Sequence, residues 1–324
     1  MGSDPTRTHA KGYLHPAYAA SLSEFGTPRL LPASGGWVLE RAIPGTASRD
    51  AMGCYPVFCC DNWTALADDL STIEDQMVSL SLVADPFGQY SCELLRRAFP
   101  DVVRPFKEHY VVELGRVPRD FVTGHHLRNA KRGLRSLEIE VCREPAQLES
   151  EWTRLYDTLI ARHGLLGLHR FSRFSFARQL RVPGCVALAA RRDGEVVGML
   201  LWYAQGDAAY YHLGAFSSAG YELRASFALF HAAIDYFEGT GCRRLSLGGG
   251  AGLRAEAGDG LGRFKRGWST GTRIAYHCGR ILNRRRYEEL SKQCPHGGFF
   301  PVYRQDEFGS SAASLGEPGS IGQI

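Results

Sequence analysis

Lys265 is the residue of this 324-residue chain whose type and position most clearly suit a chemical role. It lies in the run Phe264-Lys265-Arg266-Gly267-Trp268, downstream of an apolar segment that ends in Gly248-Gly249-Gly250. A lysine held behind the end of a strand can supply a fixed positive charge where an oxyanion forms during attack on a carbonyl. A solvated lysine in a basic loop is the alternative that the sequence leaves open.

A second group of residues could transfer a proton. The imidazole of His212 suits this role because its ordinary pKa lies close to neutrality. Its neighbours Tyr210 and Tyr211 point to opposite faces of a strand, so only one of them can face the same cleft. A hydrogen-bonded histidine in the core is the alternative for His212. The candidates for a general base are Tyr211, His212, His109 and Tyr203.

The positive charge of the chain is concentrated in two segments. The formal net charge is only +4, yet residues 121–137 hold four basic side chains and no acidic one. Residues 254–286 hold nine basic side chains against two acidic ones, which leaves the rest of the chain acidic. Such clusters suit a nucleic acid or another anionic ligand, and they also occur on solvated faces.

The composition excludes several classes of protein. Nine cysteines without a C-x-x-C pair, and no histidine cluster at zinc-ligand spacing, predict no metal site. No apolar run approaches the roughly 18 residues that span a membrane, and the N-terminus has no apolar core of a signal peptide. We therefore expect a cytoplasmic protein with reduced thiols and no membrane span.

Apolar periodicity predicts a mixed α/β (α+β) fold rather than a regularly alternating parallel sheet. The basic segment around Lys265 is predicted to be a charged loop. The expected helices lie at 125–135, from 148 onward and at 221–237, and the expected strands lie at 185–190, 195–203, 208–213, 244–247 and 272–278. The expected divisions are an irregular lead-in over 1–50 with an edge strand at 37–39, a first domain over 51–120, a second over 121–308 and a disordered tail over 309–324.

The second half of the chain resembles the Fem-type branch of the GNAT acyltransferases. The resemblance lies in a helix over 221–237, a strand ending in glycines at 247–250, and the motif at 264–268. It covers roughly residues 121–268, and residues 55–114 are similar to a shortened first repeat. The resemblance implies a tandem pair of GNAT folds, with a degenerate N-terminal half and a complete C-terminal one.

The resemblance also implies an amide-forming transfer from an activated acyl donor to an amine. The donor is an acyl-CoA thioester in ordinary GNAT proteins and an aminoacyl-tRNA ester in Fem-type ligases. By match to the motif, Lys265 would face the developing oxyanion and the ester end of the donor. His212 or Tyr211 would act as general base, and Asp259 would orient Lys265 or accept the proton of the amine.

The donor is expected to bind as a co-substrate, with no bound cofactor. Ordinary GNAT proteins hold the CoA pyrophosphate with a Q/R-x-x-G-x-G/A loop at a helix N-terminus. Residues 216–221 contain a single glycine and do not match, which favours aminoacyl-tRNA over acyl-CoA. The candidate donor-binding residues are Ser217, Ser218, Arg224, Arg263, Phe264 and Trp268. The candidate tRNA or anion patch consists of Arg128, Lys131, Arg132, Arg135, Arg284, Arg285 and Arg286.

Two alternatives to this function stay open, and a third, a serine hydrolase, is excluded by its sequence pattern. One is a CoA-dependent N-acetyltransferase acting on a sugar or another small amine. Another is a non-catalytic GNAT-like module that binds RNA or a protein partner. Residues 267–271 spell G-x-S-x-G, but the nucleophile elbow of hydrolases needs a strand before the serine and a helix after it, and a strand is predicted after it here.

Overall fold

The computed structural model describes residues 10–163, 171–250, 259–292, 294 and 298–305, with the side chains of 162 and 163 left aside. The helices of this part are α1 (Pro16–Ser21), α2 (Leu66–Ser71), α3 (Cys92–Ala98), α4 (Gly124–Leu134), α5 (Glu149–His163), α6 (Arg173–Gln179), α7 (Ser218–Glu222), α8 (Ala225–Glu238), α9 (Gly260–Arg266) and α10 (Arg284–Ser291). The strands are β1 (Thr27–Leu30), β2 (Trp37–Ala42), β3 (Arg49–Gly53), β4 (Ser79–Val83), β5 (Val102–Glu113), β6 (Glu138–Cys142), β7 (Cys185–Arg192), β8 (Glu195–Gln205), β9 (Ala208–Phe216), β10 (Arg244–Ser246) and β11 (Gly271–Ile281).

The chain divides into two compact units that interleave along the sequence. Unit 1 holds the described residues among 10–17, 107–163, 171–250 and 259–273. Unit 2 holds those among 18–106 and from 274 onward. The candidate site lies in unit 1.

The sheet of unit 1 has the strand order β5-β10-β9-β8-β7-β6. Neighbouring strands are antiparallel except β9 and β10, which are parallel and are joined by the crossover helix α8. Asp193 and Gly194 both have positive φ at the β7–β8 turn, and such residues suit a two-residue hairpin loop. The predicted strands at 185–190, 195–203 and 208–213 and the predicted helix at 221–237 are confirmed by β7, β8, β9 and α8.

Helix α8 supplies the apolar centre of unit 1. Phe227, Phe230 and Phe237 are buried on it, and the rings of Phe237 and Trp202 of β8 lie 5.3 Å apart. Helix α4 packs closely against α8 because a glycine, Gly133, faces it. A Cβ atom at Gly133 would lie 3.0 Å from the carbonyl oxygen of Arg224, so a larger residue would push the two helices apart.

The glycine-rich end of β10 turns the chain out of the sheet at the candidate site. Tyr110 of β5 continues the pairing past the strand, since its N–H donates to the carbonyl of Gly248 at 3.0 Å. Gly248 then adopts a φ of 75°, which favours glycine. This geometry leaves the carbonyls of the next glycines free to bind side chains.

Residues 260–266 form helix α9, so the prediction of a charged loop was wrong here. Asp259 is the N-cap of this helix, and its Oδ1 accepts a hydrogen bond of 2.9 Å from the N–H of Gly262. Two glycines in the first turn, Gly260 and Gly262, weaken the helical signal in the sequence.

In unit 2 the strand order is β1-β2-β3-β4-β11. Residues 10–50, for which composition predicted an irregular lead-in, carry α1, β1, β2 and the start of β3. The expected edge strand at 37–39 is the beginning of β2, which pairs on both sides. Strand β11 and helix α10 also pack in unit 2, although the expected division placed them with residues 121–308. The expected tail at 309–324 lies outside the described residues.

Candidate functional site

Lys265 lies buried at the glycine end of β10. It belongs to α9, only 5% of its surface is exposed, and its Nζ donates a hydrogen bond of 2.7 Å to the carbonyl oxygen of Gly249. The ring of Tyr211, on β9, lies 5.3 Å from the same Nζ. A Cβ atom at Gly248 would come within 3.2 Å of this nitrogen. Glycine at this position therefore gives the amine room at the end of the strand.

The surroundings of Lys265 favour its neutral form. Burial first, and then the charge of Lys107, lowers the pKa of the Lys265 amine from 10.5 to about 7, whereas Asp259 acts to raise it. Both protonation states are therefore populated near neutral pH. A group poised in this way can accept a proton and later return it.

Lys107 is a site residue that the sequence analysis missed. It lies on β5, half-buried, and its Nζ donates to the carbonyl oxygen of Gly250 at 3.3 Å. Burial lowers the pKa of its amine, and Asp259 opposes this shift. Lys107 lies two residues before His109, and alternate residues of a strand share a face, so this spacing could have identified it.

His109 stands beside the two lysines as a neutral imidazole. Its Nδ1 lies 3.3 Å from Oγ of Ser246 on β10, and the N–H of Gly248 donates to the same oxygen at 3.4 Å. Burial first, and then the charges of Lys265 and Lys107, lowers the pKa of His109 to about 3. A ring in this state can exchange a hydrogen bond but does not carry charge at neutral pH.

The carboxylate of Asp259 packs against two glycines of the site. A Cβ atom at Gly250 would lie 1.9 Å from Oδ2 of Asp259, and one at Gly262 would lie 2.5 Å from it. Only glycine fits at either position without moving the carboxylate. The structure thus brings together four residues predicted from the sequence, Lys265, Asp259, Tyr211 and His109.

His212 lies on the other face of β9 from Tyr211. Its Nδ1 is 3.1 Å from the hydroxyl of Tyr13, and its Nε2 is 3.0 Å from Oε1 of Gln179. Burial lowers the pKa of this imidazole to about 3. Tyr203 belongs to the same cluster, since its hydroxyl donates to the carbonyl of Gln179 and its ring lies 5.1 Å from that of His212. The structure does not bring these two candidate bases to Lys265.

The predicted donor loop is packed against β8. Ser217 is the N-cap of α7, and its Oγ accepts a hydrogen bond from the N–H of Gly220 at 3.1 Å. A Cβ atom at Gly220 would lie 2.1 Å from the carbonyl oxygen of Val197, so the loop lies against this strand. Ser218 is exposed, and Arg224 enters α8 with a φ of 62°.

The aromatic residues of the 264–268 motif hold α9 in place. Trp268 is fully buried, and its ring stacks on that of Phe230 at 6.2 Å. The ring of Phe264 meets the same Phe230 edge-on at 5.1 Å. Arg263, by contrast, is exposed. The aromatic side chains position the lysine between them by packing.

The basic residues of the predicted patch fall into two groups that differ in pairing. In the part of the chain that the structure describes, the exposed cations of α4 form no ion pair with a carboxylate; these are Arg128, Lys131, Arg132 and Arg135. The arginines of α10 lie in unit 2 and are each paired: Arg284 with Asp101 at 2.7 Å, and Arg285 and Arg286 with Glu289 at 3.3 and 2.8 Å.

Two further observations concern only the described residues. They contain no group of three or more histidine, cysteine, aspartate or glutamate side chains that could hold a metal ion. No helix among them is long and apolar enough to cross a lipid bilayer.

Comparison with known proteins identifies the fold. Residues 123–266 match the family described as an acetyltransferase (GNAT) domain. The structure of FemX is similar over 89% of this chain and 98% of its own, with 12% identity and a TM-score of 0.64. No curated protein sequence matches this chain.

Two further solved structures share the fold. A C-terminal domain from Agrobacterium fabrum, described as belonging to a lysylphosphatidylglycerol synthetase, has 17% identity and a TM-score of 0.58, over 81% of this chain and 86% of that domain. L-PGS from Bacillus licheniformis has 15% identity and a TM-score of 0.54, over 84% and 93%. Residues 123–266 are therefore a GNAT domain by family match, and the chain shares its fold with FemX, the Agrobacterium fabrum domain and L-PGS, as the resemblance in sequence predicted.

Proposed function

We propose that this protein is an N-acyltransferase that moves an aminoacyl group from aminoacyl-tRNA to an amine acceptor. The observation that carries the proposal is the burial of Lys265 at the glycine end of β10, with its Nζ 2.7 Å from the carbonyl of Gly249. In its charged form, this amine supplies the positive charge that an oxyanion requires during attack on an ester. No covalent intermediate is needed, because positioning of the two substrates supplies much of the rate.

The packing of the donor loop supports an ester donor over acyl-CoA. A pyrophosphate at a helix N-terminus needs free backbone N–H groups. Here the N–H of Ser217 donates to the carbonyl of Val197, the N–H of Gly220 to Oγ of Ser217, and the N–H of Tyr221 to the carbonyl of Ser217. These three donors are already engaged within the protein.

The position of helix α4 supports tRNA as the carrier. Its N-terminal end contacts the C-terminal end of α9, since the N–H of Thr123 donates to the carbonyl of Gly267 at 3.0 Å. The exposed cations of α4 therefore lie on an element attached to the helix that carries Lys265. Phosphates of an acceptor stem are held by such side chains without reading of the bases.

The fold relatives point in the same direction. The product named in lysylphosphatidylglycerol synthetase carries an aminoacyl group, and two of the similar structures bear that description or its abbreviation. For this chain we propose an amine as acceptor, such as a sugar amine, a cell-wall precursor or a small amino compound.

A donor screen tests the proposal. Labelled aminoacyl-tRNAs and labelled acyl-CoAs are offered separately with a panel of amines, and amide formation is followed by mass spectrometry. We expect transfer from aminoacyl-tRNA only, abolished by prior RNase treatment. Transfer that survives RNase and requires an acyl-CoA would establish the acetyltransferase alternative instead.

The Lys265→Ala variant separates an enzyme from a binding module. We expect transfer to fall by about 10²–10³-fold, the usual cost of removing an oxyanion donor, while circular dichroism shows a folded chain. An unchanged rate would remove Lys265 from the mechanism. Retained tRNA binding without transfer by the unmodified protein from any donor would support the non-catalytic module.

A further inference from the structure

We propose that Lys107 is a positioning residue whose charge, close to Lys265 in the same buried site, favours the unprotonated form of the Lys265 amine, so that Lys265 can take the proton of the acceptor ammonium. The inference rests on the proposed acyl transfer and adds a proton path to it. It assigns a role to a side chain outside the 264–268 motif and outside the family match at 123–266.

The geometry places two lysine amines on consecutive backbone carbonyls. Lys265 donates to the carbonyl of Gly249, and Lys107 donates to the carbonyl of Gly250. The two side chains come from different elements, α9 and β5, and converge because β5 pairs with β10. Two ammonium groups in one buried site repel each other, so the more buried amine loses its proton more readily.

The other charged and titratable groups around Lys265 allow this assignment. His109 on β5 is neutral, Tyr211 on β9 offers the face of its ring, and Asp259 at the start of α9 is the carboxylate near both lysines. Arg266 is exposed on α9 and reaches the hydroxyl of Tyr110 at 3.4 Å. Among the residues that the structure describes here, one carboxylate accompanies two amines, and this excess of positive charge agrees with the pKa of about 7 for Lys265.

The proton path balances for an ester donor. The acceptor arrives as an ammonium and transfers one proton to the neutral amine of Lys265. The freed nitrogen attacks the acyl carbonyl, and the new ammonium of Lys265 faces the oxyanion. As the C–O bond to the ribose breaks, Lys265 returns its proton to the leaving oxygen, and the second proton on the new amide nitrogen passes to solvent.

The same path explains why an ester suits this site better than a thioester. An alcohol is a much weaker acid than a thiol, so a leaving ribose oxygen needs a proton whereas a leaving thiolate does not. A lysine that has just accepted a proton is placed to supply it.

The experiment measures the titration of Lys265 directly. Protein labelled with ¹³C at the ε-carbon of lysine is titrated by NMR, and the Lys265 signal is assigned by its loss in Lys265→Met. Lys107→Met and Lys107→Gln remove the neighbouring charge, Lys107→Arg retains it, and Lys292→Met removes an exposed lysine elsewhere as a control. The pH dependence of transfer is measured on the same proteins.

We expect the two neutral variants to raise the titration midpoint of Lys265 by about one pH unit, the effect of one nearby charge in a partly screened site. The rising limb of the rate should move to higher pH by the same amount, and Lys107→Arg and Lys292→Met should retain the original midpoint. A midpoint that does not move in the folded neutral variants would overturn the proposal. A shifted midpoint without transfer from any donor would instead refute the proposed function and leave the coupling of the two lysines standing.

Discussion

Nε2 of His126 lies 2.9 Å from the carbonyl oxygen of Phe264, and this hydrogen bond joins the basic helix α4 to the helix that carries Lys265. Nδ1 of the same ring lies 2.6 Å from the hydroxyl of Thr123, so both nitrogens are engaged. Because the carbonyl can only accept, Nε2 carries a hydrogen, and burial lowers the pKa of the ring, which favours the neutral form with Nδ1 as acceptor. The orientation of α9 therefore depends on a side chain of α4.

We expect His126→Ala to lower the free energy of unfolding by about 2–4 kcal/mol. The variant removes a buried ring that packs on Phe227 and Trp268 and leaves the Phe264 carbonyl without its donor. Urea denaturation measures the loss. The exposed neighbour in His125→Ala is the matched control and should cost less than about 1 kcal/mol. Equal losses in the two variants would show that the hydrogen bond between the helices contributes nothing specific.

Acidification should destabilise the protein through its buried neutral histidines. The folded-state pKa of His212 is about 3, below its unfolded value near 6.5, so its contribution is complete above pH 6.5 and is lost as the pH falls toward 3. One such group contributes about 1.4 kcal/mol per pH unit in that range. Between pH 8 and pH 5, the free energy of unfolding of His212→Gln should therefore fall by about 2 kcal/mol less than that of the unmodified protein. Urea denaturation at each pH measures both.

His231 provides a control of opposite sign. Its hydrogen bond to Asp235 raises its folded-state pKa, so its contribution is present at low pH and is lost as the pH rises through the folded value. His231→Gln should make the loss on acidification slightly larger. A smaller loss on acidification in His231→Gln would contradict the raised pKa assigned to His231.

Gly250→Ala should disrupt the site through Asp259. The new methyl group would lie 1.9 Å from Oδ2, so the carboxylate must leave its place at the start of α9 and beside the lysines. We expect a loss of about 1–2 kcal/mol in stability, typical of a lost N-cap, and at least a tenfold loss of transfer. Gly260→Ala is the control, because a Cβ atom there would meet no described residue within 4 Å beyond its chain neighbours and its own helix backbone, and alanine suits a helix. A Gly250→Ala protein with full activity would show that the position of Asp259 is unimportant.

The two basic groups should differ in their effect on tRNA binding. Replacing the four cations of α4 together with glutamine should weaken binding and reduce the slope of log affinity against log salt concentration by about 0.7–0.9 for each phosphate that the variant no longer neutralises. Filter binding over a range of salt concentrations measures both. The corresponding triple variant of α10 should have a smaller effect, because each of its arginines already has a carboxylate partner. A larger effect in α10 would place the tRNA elsewhere.

The sequence was sufficient for the elements with long apolar segments. Strands β7, β8 and β9 were predicted close to their observed bounds because they are largely apolar runs separated by turn residues, and helix α8 because its apolar residues repeat at helical spacing. Helix α9 was not predicted because the glycines in its first turn lower its helix propensity. Gly262 is needed there because a side chain would collide with the carboxylate of Asp259. Helix propensity therefore fails to predict the structure at a position where the packing of a site residue requires glycine.

The grouping of the site residues was harder to predict than their identity. Lys265 and Asp259 were recognised from a motif that is contiguous in sequence. Lys107 joins them through the pairing of β5 with β10, and its only local signal is that it lies two residues before His109 on the same strand. His212 and Tyr211 are neighbours in sequence, yet the alternation of a strand sends them to opposite faces, and the sequence alone does not say which face holds the site.

The pairing of β5 with β10 also limits how far the chain can be truncated without losing residues of the site. Strand β5 precedes the family match at 123–266, so an expression fragment trimmed to that match would retain the lysine motif and discard both Lys107 and His109. The fragment would also leave β10 with a free edge where Val111 and Val112 had paired, and open edges promote aggregation. The segment that matches the family model is thus shorter than the segment that holds the candidate site. Recombination at the ends of the match would transfer the lysine motif without Lys107 and His109.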